Sequence, residues 1–186
     1  MLKKWKKLST EVKFSNPWWE YRFDHCLYPN GKEGEYHYAL TNDSVAVVAL
    51  TEEGKILLHK QYRYLFERES IEIPTGGIKK GQTPLEAAFA ELQEETQFSP
   101  SFLKQIGSFE PCNGFVKETC FIFIAKDLQP IQVSSDESEE FEILFWTPEE
   151  VEEGIAIGQL TDGIMIAAWH LAKPHILKII EDTHYG

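Results

Sequence analysis

The chain has 186 residues, enough for one domain with a real core, and its 42% hydrophobic and 26% charged residues are ordinary for a globular protein in water. A formal net charge of −12 argues against binding nucleic-acid polymer through a basic surface and against docking on an anionic membrane. No apolar run reaches the length that spans a bilayer.

The first residues, through Phe14, are basic but lead into no apolar segment, so no secretory signal is expected. Cys26, Cys112 and Cys120 show no metal-type spacing, which favours thiols in a reducing, cytoplasmic compartment. Trp5, Leu8, Val12 and Phe14 alternate with polar residues and predict an extended arm over residues 1–16. A turn at Asn16-Pro17 precedes two exposed-type aromatics, Trp18 and Trp19. Tyr21, Phe23, His25 and Leu27 alternate on one face of a strand, and a turn at residues 29–32 returns it into a partner over Glu35–Leu40. Residues 1–42 are therefore expected as an N-terminal antiparallel β arm, with residues 43–186 as the main domain.

Residues 44–50 predict a strand of the buried kind; residues 55–61 return from it, and residues 71–74 form a short strand. Gly76 to Phe98 reads as a glycine-bent loop feeding a helix. Thr83 is the expected cap, Pro84 suits the first helical position and Glu86 completes a capping box, with an apolar stripe through Leu85, Ala88 and Leu92. Glu91, Glu94 and Glu95 stand at i, i+3 and i+4, so three carboxylates crowd one sector in the last turns. Repulsion and the helix dipole each cost about 0.3–1 kcal/mol there. Such a cluster asks for a cation, and hard oxygen ligands suit Mg2+ or Mn2+; the plain alternative is a solvated acidic face.

Further strands are predicted at residues 102–109, 119–125 and 141–146. Thr147-Pro148 starts a second helix that Gly154 ends, and residues 162–172 form an apolar helix broken or kinked near Pro174. The longest loops are expected at residues 65–70, 110–117 and 129–140. Strands first, one helix in the middle and helices last make an α+β fold with helices on a mixed sheet.

The central stretch resembles the Nudix hydrolases, whose signature is G-x5-E-x7-R-E-U-x-E-E-x-G-U with U bulky and apolar. Gly76, Glu91, Leu92, Glu94, Glu95 and Phe98 match, while Gln82, Ala90 and Gln97 stand where the pattern has Glu, Arg and Gly. Gln61-Tyr62-Arg63, Glu72-Ile73-Pro74-Thr75-Gly76, the stretch from Pro111 to Glu118, and Asp136 to Glu139 are similar to segments of the branch that hydrolyses ADP-ribose and nucleoside-diphosphate sugars. The resemblance covers roughly the whole chain. It implies a Nudix fold, a mixed β-sheet packed between helices, and an arm that many members exchange across a homodimer.

It also implies metal-assisted attack of water on the pyrophosphate bond of a nucleoside-diphosphate-linked small molecule. A divalent cation neutralises the diphosphate and lowers the pKa of a bound water. Glu91 and Glu95, one turn apart, can hold one cation cluster, Glu94 a second ion, and the backbone at Gly76 a further position. The general base is expected in the acidic loop, Glu139 first and Glu137 second. Arg63 suits phosphate, Trp18 or Trp19 a nucleobase, and Glu72 and Glu118 line the site. Ala90 removes the arginine that orients the glutamates in the family, and Gln97 sits where a left-handed helix end favours glycine, at a cost of about 1 kcal/mol. The alternative is therefore a catalytically weakened Nudix-fold nucleotide-binding module.

Overall fold

A side-chain turn at Asn16 opens the fold of the computed structural model, which describes residues 2–133 and 140–184. Asn16 Oδ1 accepts from the amides of Trp18 (2.8 Å) and Trp19 (2.9 Å), joining β1 (Lys6–Ser15) to β2 (Trp19–Leu27). Gly31, at φ 82°, turns β2 into β3 (Glu33–Thr41). These strands pair antiparallel, and a two-residue strand, Val116–Lys117, adds parallel to β3. Met1–Asp43 and Glu110–Thr119 form one compact unit, and Ser44–Phe109 with Cys120–Gly186 form the other.

The second unit is built on β4 (Ser44–Leu50), which is buried along its whole length. Its neighbours are β5 (Ile56–Arg63) and the long strand Cys120–Pro130, the latter parallel to it; Phe98–Phe109 and Glu142–Trp146 complete the order. With the short strand Val116–Lys117 numbered β9, these three are β10, β8 and β11. Two further strands attach, β6 (Arg68–Glu72) to β5 and β7 (Thr75–Gly77) to β4.

Strand alternation sends the two faces of β4 to different cores. Val45, Val47 and Ala49 pack with Leu57, Phe123 and the buried face of α1 (Pro84–Thr96). Ala46, Val48 and Leu50 pack with Val151 of α2 (Pro148–Ala156) and with Met165, Trp169 and Ile176 of α3 (Gly163–His184). A mixed sheet thus lies between helices, as the α+β expectation required. Each large apolar side chain fully buried there contributes about 1.5–3 kcal/mol.

Several expectations need correction. Residues 65–70 are a single 3-10 turn (Tyr64–Phe66) followed by β6, because Arg68–Glu72 pairs with β5 despite its polar sequence. Leu85 is exposed, and the buried stripe of α1 runs through Ala87, Ala88 and Leu92. Gly154 lies inside α2, where a Cβ would press on Trp146 (2.8 Å) and Leu160 (3.0 Å). Pro174 does not break α3: it is exposed, so the carbonyl that loses its partner, on exposed His170, faces water.

Gln97 ends α1 in the left-handed conformation (φ 62°, ψ 27°) that the family pattern gives to glycine. Its amide offsets the strain. Nε2 donates to the Val133 carbonyl and Oε1 accepts from the Val133 amide, both at 3.0 Å. Gln97→Ala should therefore lower the unfolding free energy by about 2 kcal/mol, losing both bonds while keeping the strain. Gln97→Gly should lose about half as much, because glycine relieves the positive φ. Urea unfolding measures both, and equal losses would deny the strain.

Candidate active site

The stripe that buries α1 also sorts its three carboxylates. Ala88, Leu92 and Glu95 follow one another at i, i+4 and i+7, so Glu95 continues the apolar stripe and is only 9% exposed. Glu91 is half-buried, and Glu94 is exposed with its Oε2 3.7 Å from Lys79 Nζ. Sequence spacing alone treats the three as one crowded sector; packing separates them into three environments.

Glu95 Oε2 accepts a hydrogen bond from the Thr75 amide at 3.1 Å, the first residue of β7. Nδ1 of His59 stands 3.5 Å from the same oxygen. Glu91 lies against Gly76, where any Cβ would overlap its carboxylate. The expected glycine bend is absent here. Gly76 is in β7, paired with Val45, and the positive φ belongs to Gly81 at 90°. Glycine is needed at position 76 for room, so that a carboxylate can rest on the bare backbone.

Alternation along β5 sets Leu57, His59, Gln61 and Arg63 on one face, and His59 pairs across to Glu72 of β6. His59 is fully buried, and burial pushes its pKa down to about 4, with the Glu72 charge opposing. Glu72 is 3% exposed. Burial alone would raise its carboxyl, but hydrogen bonds from Arg63 and Ser70 and the Arg63 charge together hold it below the usual carboxylate range. Arg63 grips it with both arms, Nε on Oε1 at 2.8 Å and Nη2 on Oε2. Asp162 caps α3 by accepting the Met165 amide at 2.7 Å; burial and the nearby Glu72 charge push its carboxyl up.

Arg63, Glu72, Gly76, Glu91, Glu94 and Glu95 all belong to this unit. Trp18, Trp19 and Glu118 belong to the other, where Trp18 is 76% exposed, Trp19 packs on Phe14 at 5.6 Å, and Glu118 lines a cleft of about 610 Å3 with Tyr36, Tyr38 and Asp24. Glu137 and Glu139 lie outside the described residues. His59 has no metal-ligand spacing to another histidine in the sequence, so nothing in the local pattern marks it. Its signal was a lone imidazole on the inward face of a strand that leads to Arg63.

Among the described residues no three His, Cys, Asp or Glu side chains close a cation cage by themselves. The surroundings nevertheless fit a hard divalent cation. Two carboxylates sit on successive turns, one rests on backbone that glycine leaves bare, and the other is oriented by an amide. Gln82 keeps the approach to α1 closed: its Oε1 accepts the Lys79 amide at 2.9 Å.

The NUDIX domain pattern matches residues 40–163. The chain is 37% identical over 124 residues to the ADP-ribose pyrophosphatase of Bacillus subtilis, spanning 66% of this chain and 67% of that protein. It is 31% identical over 176 residues to the methanol dehydrogenase activator of Bacillus methanolicus, spanning 93% and 95%. A solved structure described as an ADP compounds hydrolase shares the fold at a TM-score of 0.85, over 96% of this chain and 97% of that one at 20% identity. The chain belongs to the Nudix family. Within it, the chain is a pyrophosphatase-type hydrolase.

The Arg63–Glu72 pair gives a stability prediction. Glu72 ionises below its unfolded value, so its contribution is full above the ordinary carboxylate pKa and is lost as pH falls through the folded one. Arg63→Met should cost on the order of 2 kcal/mol at pH 7, less than for a fully buried pair because Arg63 is part-exposed. The loss relative to wild type should shrink as pH falls toward 5, since an unpaired buried carboxylate titrates above its unfolded value, while buried His59, whose pKa lies near 4, weakens both proteins alike on the acid side. Chemical unfolding between pH 5 and 8 checks the sign.

Proposed function

We propose that the chain hydrolyses the pyrophosphate bond of ADP-ribose or a related nucleoside-diphosphate sugar, with Mg2+ or Mn2+ as cofactor. The observation that carries this reading is the setting of Glu95, a carboxylate buried at the end of α1 and oriented by the Thr75 amide, with Glu91 resting on Gly76 beside it. The activity for which the Bacillus subtilis relative is named agrees with it.

Glu91, Glu95 and the backbone at Gly76 would hold the cation, and Glu94, exposed toward solvent, a second ion. When bound, the metal supplies charge neutralisation of the diphosphate and an acidified water. Arg63 contacts phosphate, with Glu72 fixing its guanidinium plane. Glu139, or Glu137 next, takes the proton of the attacking water, an assignment that rests on resemblance. Trp18 or Trp19 stacks on the base, and Glu118 contributes from its cleft. We further propose a cytoplasmic homodimer, supported by the family resemblance and by the exposed Trp5, Phe14, Trp18 and Trp19. Among the described residues no helix is long and apolar enough to cross a membrane.

Incubation with ADP-ribose and several nucleotide sugars, with Mg2+ or Mn2+, should release nucleoside monophosphate. Glu95→Gln should lower kcat at least about 100-fold. Turnover that survives that substitution would sink the metal assignment, and binding without turnover in every metal would leave a nucleotide-binding module. The end-to-end likeness to the methanol dehydrogenase activator favours a second reading, in which the chain acts on a dehydrogenase. Adding the chain to a purified methanol dehydrogenase and following its rate separates the two.

A further inference from the structure

The imidazole of His59 holds a buried N–H that nothing yet described uses. His59 is fully buried, and among the described residues its Nδ1 has no hydrogen-bond partner. A buried orphan donor is costly and calls for an explanation. The tautomer follows from the neighbour. Gln61 Nε2 lies 3.0 Å from His59 Nε2, and an amide nitrogen only donates, so Nε2 accepts and the ring proton sits on Nδ1. Glu95 Oε2 is 3.5 Å from that nitrogen. The ring cannot drift from this line, because the Phe141 ring meets it edge-on at 5.0 Å and β6 and β11 flank its strand.

We infer that His59 is a positioning residue for Glu95. The Gln61 amide fixes its tautomer, and its Nδ1–H stands ready to clamp the carboxylate when that group swings by a few tenths of an ångström to take a cation. The Thr75 amide already holds the same oxygen, so with the cation in place two donors, one from β7 and one from β5, would set the orientation of the carboxylate. Ala90, where the family pattern has arginine, carries no side-chain donor. Support for Glu95 has moved from the helix to the strand beneath it. The inference rests on the reading of Glu95 as a metal ligand.

The test uses the whole chain and the metal ion alone before any substrate. Mn2+ affinity, followed by electron paramagnetic resonance, should weaken about 10-fold or more in His59→Leu. His59→Asn places an amide N–H close to where Nδ1–H stands and should restore most of the affinity, whereas His59→Gln reaches past it and should not. With ADP-ribose, kcat should fall in His59→Leu while KM changes little, and in a Glu95→Gln background the same substitution should add nothing further. Unfolding of metal-free His59→Leu should be no easier than wild type, since the orphan donor is gone. Unchanged Mn2+ affinity in His59→Leu, or equal losses in the Asn and Gln variants, would make His59 a core residue only and overturn the inference. If His59→Leu does not fold, the Asn-to-Gln comparison decides. Wild type that binds Mn2+ but cleaves no diphosphate would defeat the proposed reaction and leave the His59 result standing; wild type that binds no Mn2+ would defeat both.

Discussion

Burying a carboxylate beneath a helix is the constraint around which the second unit is arranged. Ala87 and Ala88 are small, so α1 approaches the sheet closely, and Leu92 fills the space between them and β4. The next inward position is Glu95, which follows Leu92 below the surface. An ionised group there is tolerated only with donors to its oxygens. β7 exists as a paired strand at the right level to offer the Thr75 amide, and Pro74 fixes β7 in turn by accepting the Val47 amide at 2.9 Å. Helix packing, strand pairing and the chemistry of the site are thus one requirement expressed three ways.

The departures from the family pattern look different once their surroundings are known. Gln82 still closes the loop before α1 through its amide oxygen. Gln97 keeps a backbone shape that suits glycine because its side chain grips both polar groups of Val133. Neither is a simple loss. Each makes hydrogen bonds to a named backbone group, and each ties α1 to its flanks. Only Ala90 gives nothing back from its own position.

Much of the fold was legible because its signals are local. Thr83, Pro84 and Glu86 form the capping box read from the sequence, and Thr147 and Glu150 repeat it at α2. The uniform apolarity of residues 44–50 could only mean a doubly covered strand. Where the reading failed, the deciding contact came from far along the chain. The polar segment of β6 pairs because β5 offers an edge, and Pro174 survives in α3 because its side faces water. Glycine at 76 is demanded by a glutamate fifteen positions later, not by its own torsion. His59 shows the same limit from the other side: a ring with no spacing partner in sequence gains its meaning from a strand face and a helix end.

Arg63 carries the sharpest tension in the site. A guanidinium has five N–H donors, and Glu72 takes one from Nε and one from Nη2. Three remain, on the edge away from Glu72. A diphosphate meeting Arg63 therefore does not need to displace the carboxylate. Glu72 sits in a buried position with its charge already matched, so separating the pair would strand a carboxylate in low dielectric. Keeping the pair leaves those donors available on a side chain that is itself part-exposed. The ion pair fixes the guanidinium plane at the end of the same strand face that carries His59, so it is compatible with the proposed phosphate contact rather than opposed to it.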